Sequence, residues 1–127
     1  MKLDILAIGA HPDDVELGCG GTLAKEIKNG KIVGILDLTK GELGTRGTDE
    51  TRRTEANDAK NILGVAVREN LGIPDGFFLN DKENQLKIVE IIRKYQPEII
   101  LSNALNDRLT WLIQPSFYQV YQKSRMA

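Results

Sequence analysis

Residues 3–27 read LDILAIGAHPDDVELGCGGTLAKEI. An apolar run breaks at His-Pro-Asp-Asp and resumes as a stretch with helical spacing. Leu3, Ile5, Leu6, Ala7 and Ile8 are apolar with little alternation, so residues 3–9 are predicted to form a strand buried on both faces. Residues 15–28 are predicted to form a helix, with Leu17, Leu23, Ala24 and Ile27 able to face a sheet and Gly30 just past its end. A strand that runs straight into a loop and a helix is the first half of a βαβ unit. The rest of the chain repeats that pattern.

Residues 31–39, KIVGILDLT, read as a second strand. A loop rich in glycine and charge follows over residues 40–53. Thr48 or Asp49 can cap the next helix, which carries Ala56, Ala59, Ile62 and Leu63 on one side and stops at Gly64. Residues 65–71 read as a short third strand, and Pro74-Asp75-Gly76 as a turn. Residues 84–95 carry Leu86, Ile88, Val89, Ile91, Ile92 and Tyr95 on a broad apolar face. Residues 98–102 read as a fourth strand. Strands alternating with helices predict an α/β fold, a parallel sheet flanked by helices. Right-handed crossovers place every strand's carboxyl end on one edge, where ligands of such sheets bind. His11 to Asp14, Gly41 to Gly47, Asp75 and Asn103 to Arg108 all follow strands and are expected to converge there.

Composition narrows the partners. The chain has 127 residues, enough for one domain, with 41% hydrophobic and 28% charged residues and a net charge of -1. That balance gives no basic excess to favour nucleic acid or an anionic membrane. The single cysteine, Cys19, cannot close an internal disulfide, and no signal-peptide layout or membrane-spanning run is present in the sequence. A cytoplasmic location is the expectation. Cys19 reads as a small residue near the site rather than a ligand.

His11 is the sole histidine. His11 and Asp14 lie three apart just past a strand, and imidazole and carboxylate are both ordinary zinc ligands. Asp13 lies between them, and a carboxylate beside a metal-bound water can act as general base. The bland alternative is an N-cap: Asp13 or Asp14 caps the helix and His11 is a satisfied loop residue. A magnesium site for phosphoryl transfer, built on Asp13 and Asp14, is a further alternative, although it leaves His11 unused.

The stretch AHPDDVELGCGGTL resembles the signature of the LmbE/PIG-L family of zinc-dependent N-acetylglucosamine deacetylases. GELGTRGTDETRRTEANDAKNILGV, residues 41–65, and LGIPDG, residues 71–76, resemble two later blocks of that family in order. The wording is most similar to the bacillithiol-biosynthesis deacetylases, which act on N-acetylglucosaminyl malate. The resemblance spans about residues 2–108 and implies a Rossmann-like sheet. It implies His11 and Asp14 as zinc ligands, Asp13 as general base, and Arg52, Asp75 and Arg108 as substrate-binding residues. Bland readings remain beside it: Arg52 on a solvated helix face, Asp75 in an ordinary turn, and Glu55 supporting Arg52. The implied partner is a small-molecule N-acetylglucosamine glycoside, and the family allows a homo-oligomer.

The resemblance stops at Arg108. The family supplies its third ligand from a His-x-x-His pair after the fourth strand, but Leu109 and Leu112 stand there. Residues 109–127, LTWLIQPSFYQVYQKSRMA, contain no His, Asp, Glu, Cys or Gly. Residues 1–108 are therefore expected to be the N-terminal part of a deacetylase domain with a truncated sheet, and 109–127 an aberrant tail from a frameshift or misplaced gene end. As written, the chain is expected to bind Zn²⁺ weakly or not at all and to be weak or inactive. A non-catalytic sugar-binding or inert fragment is the alternative.

Overall fold

The computed structural model describes residues 1–77 and 79–103. Arg108 and the tail 109–127 lie outside the described residues. The elements are β1 (Ile5–Gly9), α1 (Asp14–Lys28), β2 (Val33–Asp37), α2 (Asp49–Leu63), β3 (Val67–Asn70), α3 (Lys82–Tyr95) and β4 (Ile99–Leu101). Every element predicted from the sequence over these residues is present, with ends differing by a few residues. β1 and β2 are buried along their whole length, as unbroken apolar runs require between two layers of helices.

The sheet has the order β3-β2-β1-β4 with every pairing parallel. Two successive steps, β1 to β2 to β3, run in one direction. The third reverses, returning to the far side of β1. With right-handed crossovers, the reversal puts α3 on the opposite face from α1 and α2. The core divides accordingly. Leu6, Ile8 and Leu36 pack with Ile88, Ile91, Ile92 and Tyr95 of α3. Ile5, Ala7, Val33 and Ile35 pack with Val15 and Leu23 of α1. Alternate residues of β1 thus serve opposite layers. The reversal also creates a switch point between β1 and β4, the place where an open α/β sheet offers a crevice.

Gly34, in the middle of β2, keeps the sheet surface low. A Cβ there would lie 2.5 Å from Leu3 Cδ1 and 2.9 Å from Val67 Cγ2.

The helix faces depart from the sequence reading in detail. Leu17 and Ile62, expected to face the sheet, are 83% and 85% exposed, and Leu86 is also exposed. In α1 the sheet-facing stripe is Val15, Cys19, Leu23 and Ile27, so Leu23 and Ile27 face the sheet as expected while Leu17 and Ala24 do not. α2 contributes no fully buried residue. Leu63 packs against the core on the α1 side and Ala56 O accepts from Arg68 of β3, while Ala59 is half-buried. Thr48, not Asp49, is its N-cap, accepting from Thr51 N at 3.2 Å. No helix among the described residues is long and apolar enough to cross a membrane.

Candidate functional site

The loops after β1, β2 and β3 meet at the carboxyl edge of the sheet. Ladder-like bonds past the strands hold them there: Leu38 N to Gly9 O at 2.9 Å, Thr39 N to Ala10 O at 2.9 Å, and Ile73 N to Leu38 O at 3.0 Å. The Thr39 hydroxyl is fully buried. It donates to Ala10 O at 3.0 Å and accepts from Gly41 N at 3.1 Å, which pins the start of the glycine-rich loop beside His11.

His11 sits between two carboxylates. Its Nδ1 lies 3.4 Å from Asp14 Oδ2, and its Nε2 lies 2.7 Å from Asp75 Oδ1. Asp14 Oδ2 also accepts the backbone N–H of His11 at 2.9 Å. Hydrogen bonding to Asp14 foremost, with Asp75 adding to it against the cost of burial, pushes the His11 pKa up to about 9 in the metal-free chain. The same bond to His11 holds the Asp14 carboxyl below its ordinary range.

Asp13 behaves differently. It occupies the N-cap position of α1 with φ 132° and its side chain makes no capping hydrogen bond. That backbone conformation is costly for any residue with a Cβ and is found where surrounding structure imposes it. Partial desolvation, then the neighbouring Asp14, push the Asp13 carboxyl up, while Arg52 and His11 pull against them. A raised carboxylate close to a ligand-type pair suits a proton acceptor.

Arg52 projects from the first turns of α2 under the β2–α2 loop. A Cβ added at Gly41 would lie 2.6 Å from its Nη1, and one at Gly44 would collide with Nη2. Both glycines are therefore what lets the loop lie against the guanidinium. Arg52 is thus a loop-cradled cation whose field reaches Asp13. Asp75 is buried, 7% exposed, and faces inward. Besides His11, its Oδ2 accepts from Leu43 N at 3.1 Å, and its own N–H donates to Glu42 Oε1 at 2.7 Å. His11, Asp13, Asp14, Arg52 and Asp75 are thus brought to one edge by three loops; Arg108 lies outside the described residues.

A second polar cluster was not anticipated from the sequence. Arg68, in the interior of β3, donates to both oxygens of Asp37 at 2.7 and 3.0 Å, to Glu16 of α1, and to Ala56 O of α2 at 3.1 Å. Burial pushes the Asp37 carboxyl up, with Arg68 opposing it. The signal was legible in part, since an aspartate ending an otherwise apolar strand and an arginine inside another each demand a partner. Their pairing was not. Clefts lined by the described residues flank the edge. One of about 650 Å³ runs between α2 and the ends of β2 and β3, and touches the catalytic-type loop at Pro12. Another, about 450 Å³, lies at the β1/β4 switch point and is bordered by Asp14, Cys19, Leu101 and Asn103.

The donor set can be tested against zinc. Donors on one tetrahedral zinc with bonds of about 2.0–2.1 Å stand about 3.3 Å apart. His11 Nδ1 and Asp14 Oδ2, at 3.4 Å, match that spacing. Asp75 meets the opposite ring nitrogen, so it does not share the same point in space. Among the described residues no group of three His, Cys, Asp or Glu is arranged to hold a metal. The pair fits two positions of a zinc site.

Comparison with known proteins places these features. The family profile described as "PIG-L: GlcNAc-PI de-N-acetylase" matches residues 6–110. Diacetylchitobiose deacetylase of Thermococcus kodakarensis is 35% identical, over 76% of this chain and 39% of the relative. The 4-oxalmesaconate hydratase of Pseudomonas putida is 30% identical, over 80% of this chain and 44% of its own length. The crystal structure of the conserved protein TT1542 from Thermus thermophilus superposes with a TM-score of 0.84 at 40% identity, covering 96% of this chain and 55% of that one. The chain thus spans between about two-fifths and just over half of the length of these relatives, which run from 39% to 55% covered. With its parallel sheet, its His-Pro-Asp-Asp loop at the strand edge and a profile match across most of its length, the chain belongs to the PIG-L family.

Proposed function

We propose that this chain carries the metal-ligand and base half of a zinc-dependent hydrolase that removes the acetyl group from an N-acetylglucosamine conjugate. The observation that carries the reading is His11, set between Asp14 and Asp75 with Asp13 beside it, at the edge where the three loops meet. The finer reading is N-acetylglucosaminyl malate as substrate, in the cytoplasm, within bacillithiol biosynthesis. It rests on the similarity of the three sequence blocks. Residues 1–108 form the N-terminal part of the deacetylase domain in this reading, and 109–127 depart from it.

His11 and Asp14 would hold the metal. When bound, zinc supplies Lewis acidity toward the acetyl carbonyl and acidity to its water. Asp13 accepts the proton of the attacking water, a task its raised pKa favours. Arg52, cradled by the glycine loop, presents its cation near Asp13 and is assigned to substrate hydroxyls; Arg108 is assigned to the substrate as well. Positioning of this kind contributes several kcal/mol in well-oriented reactions, on the order of 7–11 kcal/mol at most.

Among the described residues, His11 and Asp14 supply two donors, short of the three that catalytic zinc sites use. The 127-residue chain is therefore expected to hold zinc weakly and to release acetate from an N-acetylglucosamine glycoside slowly or not at all; glycoside binding in calorimetry with no acetate released at all would favour the non-catalytic sugar-binding reading. Asp13→Asn should remove any turnover there is. Phosphate release with magnesium would overturn the reading in favour of phosphoryl transfer. Addition of water to an unsaturated acid, without acetate release, would favour the chemistry named for the Pseudomonas relative.

A further inference from the structure

We propose that Asp75 is a positioning residue for His11: it accepts a hydrogen bond from the ring's Nε2–H and so turns the Nδ1 lone pair toward Asp14. The inference rests on His11 and Asp14 being the metal pair, and it gives Asp75 a task distinct from holding sugar hydroxyls.

An ionised carboxylate accepts hydrogen bonds and donates none. At 2.7 Å from Asp75 Oδ1, Nε2 must therefore carry the proton. A neutral imidazole has one protonated nitrogen, so Nδ1 is left with its lone pair. That lone pair sits 3.4 Å from Asp14 Oδ2, which is itself an acceptor. Two acceptors facing one another call for a cation between them: a proton in the metal-free chain, a metal in the loaded one. A metal-bound histidine commonly gives its other N–H to a carboxylate, which fixes the ring and raises its basicity.

Asp75 is equipped to hold the ring still. It is 7% exposed, and its second oxygen is engaged by Leu43 N at 3.1 Å. Its backbone N–H returns a bond to the Glu42 carboxylate at 2.7 Å. The β2–α2 loop and the loop after β3 thus each hold a carboxylate of the other. This reciprocal latch couples the segment that cradles Arg52 to the orientation of His11. A displacement of Glu42 or Leu43 is passed to the imidazole through Asp75.

One histidine in the chain makes the test direct. The full 127-residue protein, metal-free and labelled with ¹⁵N-histidine, is examined by two-bond ¹H–¹⁵N spectroscopy above the ring's own titration. The expected result is a single tautomer protonated on Nε2, with that proton shifted downfield by its charged partner. In Asp75→Ala, with fold checked by circular dichroism, the downfield proton should be lost and the ring nitrogens should average between tautomers. A wild-type ring protonated on Nδ1, or already averaged, overturns the proposal without any variant. So does a folded Asp75→Ala protein whose ring stays wholly Nε2-protonated. The measurement reads ring protonation alone, so its failure is separate from any failure to find deacetylation.

Discussion

At the scale of single residues, the site's chemistry is set by which group faces which. Asp14 and Asp75 hold the His11 proton in the metal-free chain, raising its pKa from the ordinary 6.5 to about 9. A group whose folded pKa lies above its unfolded value contributes stability that is full below 6.5 and is lost as pH rises through about 9. We expect the one histidine signal to titrate with a midpoint near 9 by NMR, and Asp14→Ala to move it down toward 6.5. Zinc added below that midpoint should release protons, since the ligand must give up its own. Asp13 offers the opposite kind of test. Glycine tolerates its φ of 132° where aspartate does not, so Asp13→Gly should raise the urea unfolding free energy by about 1 kcal/mol while removing the proposed base. An unchanged or lower stability would show that the Asp13 side chain serves the fold. His11, Asp13 and Asp14 were legible because they are contiguous and sit at a predicted strand end. The inward turn of Asp75 was not, because 64 residues separate it from His11.

At the scale of elements, Arg68 joins β3 to β2, α1 and α2 through one guanidinium. It is 6% exposed and Asp37 3%, so the pair is desolvated and neither partner can fall back on water. Arg68→Met should therefore cost about 3–5 kcal/mol in urea unfolding, because it leaves Asp37 buried and uncompensated. Replacing both, as Arg68→Met with Asp37→Leu, should recover much of that loss; no recovery would mean that the bonds to Glu16 and Ala56 O carry the effect. Glu16 lies two residues past Asp14 on α1, so the same cluster steadies the first turn that carries the ligand-type carboxylate. The helices' existence was readable from periodicity, and so was the face of α3, where Ile88, Ile91, Ile92 and Tyr95 are buried; the faces of α1 and α2 were read only in part. Leu17 and Ile62 point outward because α1 and α2 lie on a sheet whose twist and strand order select the contacting stripe, and a helical repeat alone does not carry that information.

At the scale of the molecule, among the described residues β1 and β2 lie between paired neighbours while β3 and β4 form the edges. Amide exchange should be slowest at Ala7, Ile35 and Leu36, which are fully buried, and much faster along β4, where Ile99 is 52% exposed. Uniform protection across the four strands would contradict that gradient. The sequence by itself determined the alternation of strand and helix, the parallel sheet and the position of the His-Pro-Asp-Asp loop at its edge. These follow from local apolar runs, turn residues and the handedness of crossovers, each confined to a short window of chain. Tertiary structure alone decided the switch point between β1 and β4, the pairing of Arg68 with Asp37 and Glu16, and the ring edge at which Asp75 meets His11. Those depend on which distant loops the strand order brings together, a property of long-range packing that no local pattern encodes.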